Sequence, residues 1–179
     1  MLAAEVESSY GVTKMGTRKW SLVFLLVLIV LLLSPGKGET EEKISIGQVE
    51  DVILMPWGAR LPARIDTGAA TSSLDARDLK VKDGLAVFKL PKKYGSLQFR
   101  LPVIGWRNIR GAEFKEERPI VEITFCLGAK MIHTEVNLND RSTVEYPLIL
   151  GRNVLKDHFV VDCGRSNCLT PSCTEVRPK

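Results

Sequence analysis

The sequence is short of the residues that several kinds of catalytic centre require. It has two histidines, His133 and His158, and no H-E-x-x-H. Catalytic zinc is held by three protein ligands, commonly with two histidines one helical turn apart, so no metal site is expected. A G-x-x-x-x-G-K loop is missing as well. That removes the usual backbone cradle for a nucleoside triphosphate, and no cofactor is expected. The four cysteines, Cys126, Cys163, Cys168 and Cys173, include no C-x2-C pair. The last three follow a C-x4-C-x4-C spacing, which suits zinc poorly. Charge of one sign is scarce too. The formal net charge is +4, and the first 38 residues hold four basic and two acidic groups. The remainder is nearly neutral and offers no basic face to nucleic acid. With 45% hydrophobic and 26% charged residues, the chain is neither disordered nor collagen-like. A single apolar run excludes a multi-span membrane protein.

That run, Trp20 to Leu33, is fourteen residues without a charge. Arg18 and Lys19 precede it; Ser34, Pro35 and Gly36 follow. A basic stretch, a short apolar stretch and then small residues is the layout of a secretory signal. A permanent span wants about 17 to 25 apolar residues. Export to a periplasmic or other extracytoplasmic space is therefore expected, with cleavage near Gly36 or Gly38 and with Met1 or Met15 as the start. An uncleaved signal-anchor is the alternative, holding the protein to the inner membrane by residues 20–33; membrane contact is expected only in that case. The chain divides into residues 1–38 (signal peptide or anchor), a polar linker at 39–43, a folded domain at 44–163 and a cysteine-containing tail at 164–179. In an oxidising compartment the cysteines are expected to form disulfides. Three pairings of the four are open.

From Ile44 onward, short apolar runs alternate with turn residues. In R-P-I-V-E-I-T-F-C-L-G, Val121, Ile123, Phe125 and Leu127 share one face, with Glu122 and Thr124 on the other. In M-I-H-T-E-V-N-L, Ile132, Val136 and Leu138 point inward, and His133, Glu135 and Asn137 point outward. A period of two is the signature of a half-buried strand, and Gly128 between the runs predicts a hairpin. Helix is expected only near 73–79 and at 153–158. The pattern predicts an all-β barrel or sandwich.

The richest chemistry lies in A-R-I-D-T-G-A-A-T-S, residues 63–72. Asp66 ends a predicted strand, and Gly68 has no side chain to keep its N–H away from that carboxylate. Thr67 adds a hydroxyl that can bond a neighbouring backbone or subunit. A second segment, P-L-I-L-G-R-N-V-L at 147–155, runs an apolar strand into Gly151, Arg152 and Asn153.

Together these segments resemble the retroviral-type aspartic proteases. With R-P-I-V-E-I-T-F-C-L-G and N-L-N-D-R-S-T-V-E-Y-P-L-I-L-G-R-N-V-L, residues 44–163 are most similar to a retropepsin-like bacterial family long labelled "ATP-dependent zinc protease", whose members are often encoded beside ATP-grasp ligases. The resemblance implies a closed retropepsin-like β-barrel with one or two short helices. It implies Asp66, Thr67 and Gly68 as the catalytic loop, supported by Ala69, Gly151, Arg152 and Asn153. Aspartic-protease chemistry needs two carboxylates that share a proton. Asp75, Asp78, Asp83, Asp140 and Asp162 are not followed by Thr-Gly or Ser-Gly, so the resemblance implies a homodimer with one Asp66 from each subunit, acting on a peptide or protein substrate. Arg152 is read as a clamp forked onto a carboxylate near the loop, and Asn153 as the cap of a short helix. The family flap falls at 104–114, which has a single glycine, Gly111; Trp106 within it is read as core. Where the viral enzymes carry acidic residues after Ala69, this chain has Ala70, Thr71 and Ser72. Two other readings stand beside this one: a non-catalytic binding module on the same fold, and a zinc peptidase as the label says.

Overall fold

The computed structural model describes residues 42–110 and 115–173. The expected signal or anchor at 1–38, the last four residues of the expected flap, 111–114, and the last tail residues, 174–179, lie outside the described residues. Six strands close on themselves: β2 (Val49–Met55), β3 (Ala59–Ile65), β4 (Ser72–Asp75), β9 (Lys115–Leu127), β10 (Lys130–Asn139) and β11 (Leu148–Leu150). Their order is β10-β4-β11-β3-β2-β9, and β9 pairs back onto β10. Closure leaves no free edge in the barrel. The all-β barrel expected from the sequence is the fold observed.

Alternation builds this wall. In β3, Ala59, Leu61, Ala63 and Ile65 are buried while Arg60 and Arg64 face out. The hairpin of β9 and β10 turns at Gly128, whose φ of 59° favours glycine. Val121, Ile123, Phe125 and Leu127 are buried as their spacing predicts. Asn137 departs from the pattern. It is 5% exposed, because β10 is flanked there on both sides, antiparallel to β9 at Ile120 and parallel to β4 at Ser73. There its Nδ2 donates to the Ser72 carbonyl at 2.6 Å.

The segment expected to be helical near 73–79 is instead β4 followed by β5 (Arg77–Lys82). Local propensity loses here to tertiary pairing: all four β4 residues are buried between β10 and β11. The second expected helix forms as α1 (Arg152–His158), starting one residue early. A satellite sheet of β5, β6 (Leu85–Lys89) and β7 (Gln98–Pro102) packs through Phe88 and Phe99, whose ring centroids are 5.0 Å apart. Strand β8 (Gly105–Arg110) pairs with the first part of β9 to form an arm off the barrel. Trp106 lies on this arm and is 52% exposed, so it is not a core residue. Strand β1 (Ile44–Ile46) runs parallel to β12 (Phe159–Val161). After β12 the tail crosses back over the barrel and is tied by a disulfide between Cys126 and Cys173. Cys163 and Cys168 are free. Among the described residues, no helix is long and apolar enough to cross a membrane.

Candidate active site

Asp66 stands where β3 ends. Its N–H still bonds the Leu150 carbonyl of β11 at 3.0 Å, so the barrel fixes its backbone. The chain then turns, and Asp66 Oδ1 accepts the N–H groups of Gly68 at 3.0 Å and Ala69 at 3.1 Å. Two backbone donors on one oxygen orient the carboxylate and share its charge. Among the described residues nothing hydrogen-bonds Oδ2, which is left for chemistry. A Cβ on Gly68 would sit 3.2 Å from Oδ1, so the glycine permits the close approach. Thr67 is exposed on the same turn.

The segment after β11 grips this loop. A Cβ on Gly151 would meet the Thr71 carbonyl carbon at 2.7 Å and the Ala69 oxygen at 3.0 Å, both backbone atoms. The Arg152 N–H donates to the Ala69 carbonyl at 2.9 Å. Its guanidinium donates to the carbonyls of Thr67 at 3.0 Å and Gly68 at 2.7 Å. The expected carboxylate partner is replaced by these carbonyls, since Ala70, Thr71 and Ser72 offer no acid. Asn153 is not a helix cap: Gly151 holds the N-cap position without a side-chain bond. Instead Asn153 Oδ1 accepts the N–H and hydroxyl of Ser72, and its Nδ2 donates to Thr134 Oγ1 at 2.8 Å and the Glu135 carbonyl at 2.9 Å. One amide thus joins α1, β4 and β10. The buried Ser72 hydroxyl completes the knot by accepting the Gly151 N–H at 3.2 Å. The sequence shows Ser72 only as a position without an acid, and its role in the knot comes from β4, β10 and α1 meeting there.

Between this loop and the arm lies a cleft of about 270 Å³, lined by Thr71, Ser73, Asn137 and Ile149 and by three arginines, Arg107, Arg118 and Arg141. From the sequence Arg141 reads as pairing with its neighbour Asp140 or lining a groove; it lines this one, and Asp140 pairs with Arg77 instead. Arg107 and Arg118, 34 and 23 positions before it, carried no such sign. Arg118 pairs with Glu116 at 2.7 Å. Arg141 is half-buried, and its Nε donates to the Tyr146 carbonyl at 3.0 Å. Burial holds its pKa below the ordinary arginine value; Asp75 opposes that shift, and the nearby charges of Arg118 and Arg64 add to it. It remains a cation at any physiological pH. Behind it Asp75, 2% exposed, accepts the Arg141 N–H at 2.9 Å and an Arg77 guanidinium N–H at 2.7 Å. This places Arg141 from beneath. Among the described residues, the buried atoms Ser73 Oγ and Asn137 Oδ1 have no hydrogen-bond partner, a costly state. A larger cleft of about 710 Å³ lies between the satellite sheet and β9–β10, and no residue of the Asp66 loop lines it.

The donor set does not fit zinc. Among the described residues, no three His, Cys, Asp or Glu side chains converge to hold a metal ion. His133 is turned to solvent against Thr124 and Glu122, and His158 packs edge-on to Phe159.

Known proteins bear on this geometry. The chain is 28% identical over 140 residues to a protein of Shewanella pealeana named "Probable alpha-L-glutamate ligase", and 29% identical over 140 residues to its namesake in Shewanella halifaxensis. The aligned part covers 73% of this chain and 31% of each relative, so the chain spans about a third of their length. A crystal structure of a Legionella pneumophila protein of unknown function shares 30% identity at a TM-score of 0.61, covering 71% of this chain and 98% of that one. A family profile described as "Retropepsin-like aspartic endopeptidase RimB" matches residues 45–171. The chain therefore belongs to the RimB-like family of retropepsin-like aspartic endopeptidases.

Proposed function

We propose that the protein is an exported endopeptidase whose active centre forms when two copies bring their Asp66 side chains together. The observation that carries this reading is the state of Asp66: one oxygen is held by two amides, the other is clear, and Arg152 and Gly151 grip the loop. Each chain supplies one such loop, and the chemistry takes two. Two adjacent carboxylates cannot both ionise, so the pair holds one proton and titrates as a unit. The ionised member takes a proton from water as its oxygen attacks the peptide carbonyl carbon. The protonated member donates its proton to the carbonyl oxygen, giving a tetrahedral diol. A carboxylate then removes a diol proton, the other delivers one to the amide nitrogen, and the C–N bond breaks to leave an acid and an amine. Pairing across a two-fold axis lets the same residue serve both roles.

The cleft favours a peptide with acidic side chains. Arg107, Arg118 and Arg141 concentrate positive charge beside the Asp66 loop, and arginine forks match carboxylate geometry. The names of the Shewanella relatives, ligases of glutamate, agree with a substrate of that chemistry. Export is supported by the signal-like order of basic, apolar and small residues within 1–38 and by the Cys126–Cys173 disulfide.

The test is cleavage of a peptide library by purified protein, wild type beside Asp66→Asn, with sedimentation to count subunits. A dimer whose wild type alone cuts, preferring acidic peptides, is the expected result. A strict monomer, or an Asp66→Asn variant that cuts as well as wild type, would defeat the reading. Arg141→Ala should raise KM for an acidic peptide about tenfold and leave a neutral one unchanged. Added salt should narrow that difference.

A further inference from the structure

The hydrolytic reading leaves Glu50 unused. It is the middle residue of V-E-D in β2, it is fully buried, and among the described residues it is not paired with a cation. Its carboxylate is instead satisfied by three backbone amides. Oε1 accepts the N–H of Gly47 at 2.6 Å and of Cys168 at 3.0 Å, while Oε2 accepts the N–H of Leu169 at 2.9 Å. Two of the three donors therefore come from the tail, which arrives from 118 positions away in sequence. The tail is laid tightly enough that a Cβ on Gly47 would lie 2.5 Å from the Arg165 oxygen. The Asn167 N–H bonds the Val49 carbonyl at 2.7 Å, and Ser172 N–H bonds the Gly128 carbonyl at 2.8 Å. Leu169 packs against the core beside Gly128. The far end is covalently fixed, Cys173 to Cys126.

This tail is also linked to the catalytic loop. The Arg165 carbonyl accepts the Gln48 N–H at 2.8 Å, and the Gln48 carbonyl accepts the Ile65 N–H at 2.9 Å. Ile65 is the residue before Asp66. Strand β2, which Glu50 anchors, is also the antiparallel partner of β3 from Val49 opposite Arg64 to Leu54 opposite Ala59.

We propose that residues 162–173 form a redox latch: the Cys126–Cys173 disulfide keeps two tail amides on Glu50, and reduction of that bond frees the strand pair that ends at Asp66. The reductant is a dithiol. One of its thiolates attacks the Cys173 sulfur, Cys126 leaves as a thiolate and takes up a proton, and the second donor thiol resolves the mixed disulfide. The protein gains two thiols, and the donor becomes a disulfide. Cys173 is the partly exposed cysteine and Cys126 the buried one, which sets the direction of attack. Cys168 does not short-circuit the latch. Partial burial pushes its thiol above the ordinary value, the charge of Arg165 opposing that and Glu50 adding to it, and the thiolate is the attacking form. Once the tail lifts, Glu50 keeps one donor of three. A buried carboxylate so stripped draws in water, which opens the wall around it. The latch rests on the barrel and the tail alone and holds whether or not Asp66 performs hydrolysis.

Hydrogen exchange read by mass spectrometry tests it on the full exported chain, in three forms: oxidised; reduced with dithiothreitol and alkylated; and a Glu50→Gln variant with its disulfide formed. In the reduced form, peptides covering 162–173 and 44–66 should exchange at least tenfold faster than in the oxidised form. Peptides of β4 and of β10 beyond Val136 should stay protected. Glu50→Gln should loosen the same two regions with the disulfide intact. Three results would overturn the proposal: faster exchange confined to 168–173, unchanged exchange in Glu50→Gln, or a loss of protection throughout the barrel on reduction. The last would make the bond a staple of the whole fold instead of a latch.

Discussion

Among the described residues, Asp66 and Glu50 are the carboxylates that take more than one backbone amide, and the contrast between them separates chemistry from architecture. Asp66 has two donors, both on Oδ1, and stands part-exposed at a strand end. Glu50 has three donors spread over both oxygens and lies fully out of water. An amide bond to a carboxylate stabilises its charge in either case. The difference is the second oxygen. Where it is free, the group can exchange a proton with water or substrate; where it is occupied, the group is a knot between chain segments. The surroundings follow the same division. The Asp66 loop is gripped from behind by Arg152 and Gly151 and faces an arginine-lined cleft. Glu50 is enclosed by the tail that it holds.

The contrast is broken most directly at Asp66. Asp66→Asn should lower peptide hydrolysis by at least a factor of about 1,000, roughly 4 kcal/mol of transition-state stabilisation. Its thermal midpoint should stay within a few degrees of wild type, because the amide oxygen still accepts the Gly68 and Ala69 N–H groups. A variant that loses fold and activity together would place Asp66 with Glu50, as architecture. Next in size is Gly151→Ala. The added Cβ meets backbone atoms of Thr71 and Ala69, which do not yield as side chains do. Urea unfolding should show a loss of about 3 kcal/mol, and activity should fall more steeply than stability as the Asp66 loop is pushed out of place.

Glu50→Gln sharpens the other side. It should cost about 2 kcal/mol by urea unfolding, since the new NH2 group faces backbone N–H donors and leaves one of them unsatisfied. Hydrolysis per folded molecule should change far less than in Asp66→Asn. A third carboxylate sets the lower bound. Asp140 is exposed, and its pKa is held below the ordinary aspartate value by the bonds from Ser142 and then by Arg77. A depressed folded-state pKa adds stability above the unfolded value, about 3.9, and that stability is lost as pH falls through the folded value. Asp140→Asn should therefore cost less than about 1 kcal/mol at neutral pH. The gap to wild type should close in acid, measured by unfolding at stepped pH.

The parts legible in the sequence are those in which neighbours along the chain are neighbours in space. The Asp66 turn is one such part: carboxylate and both donors lie within four consecutive residues. The hairpin of β9 and β10 is another, its period of two and its central glycine leaving little choice. Features that need distant segments were misread or missed. Ser73 and Leu74 read as helix because nothing local shows β10 and β11 closing over them. Asn153 read as a helix cap because its true partners, Ser72 and Thr134, come from other strands. Trp106 read as core because an arm standing off the barrel has no local signature. Glu50 carried no sign at all, since an acid in an alternating strand normally faces water.

By itself, then, the order of amino acids determined the class of fold and the position of the acid group. These follow from short-range periodicity and from the steric freedom of Gly68. Tertiary structure alone decided which arginines gather beside that acid, which cysteines join and where the tail's free amides go. Such pairings depend on barrel closure, which brings together groups up to 119 residues apart and removes water from between them. Only in that dry, crowded setting does a lone glutamate become an anchor.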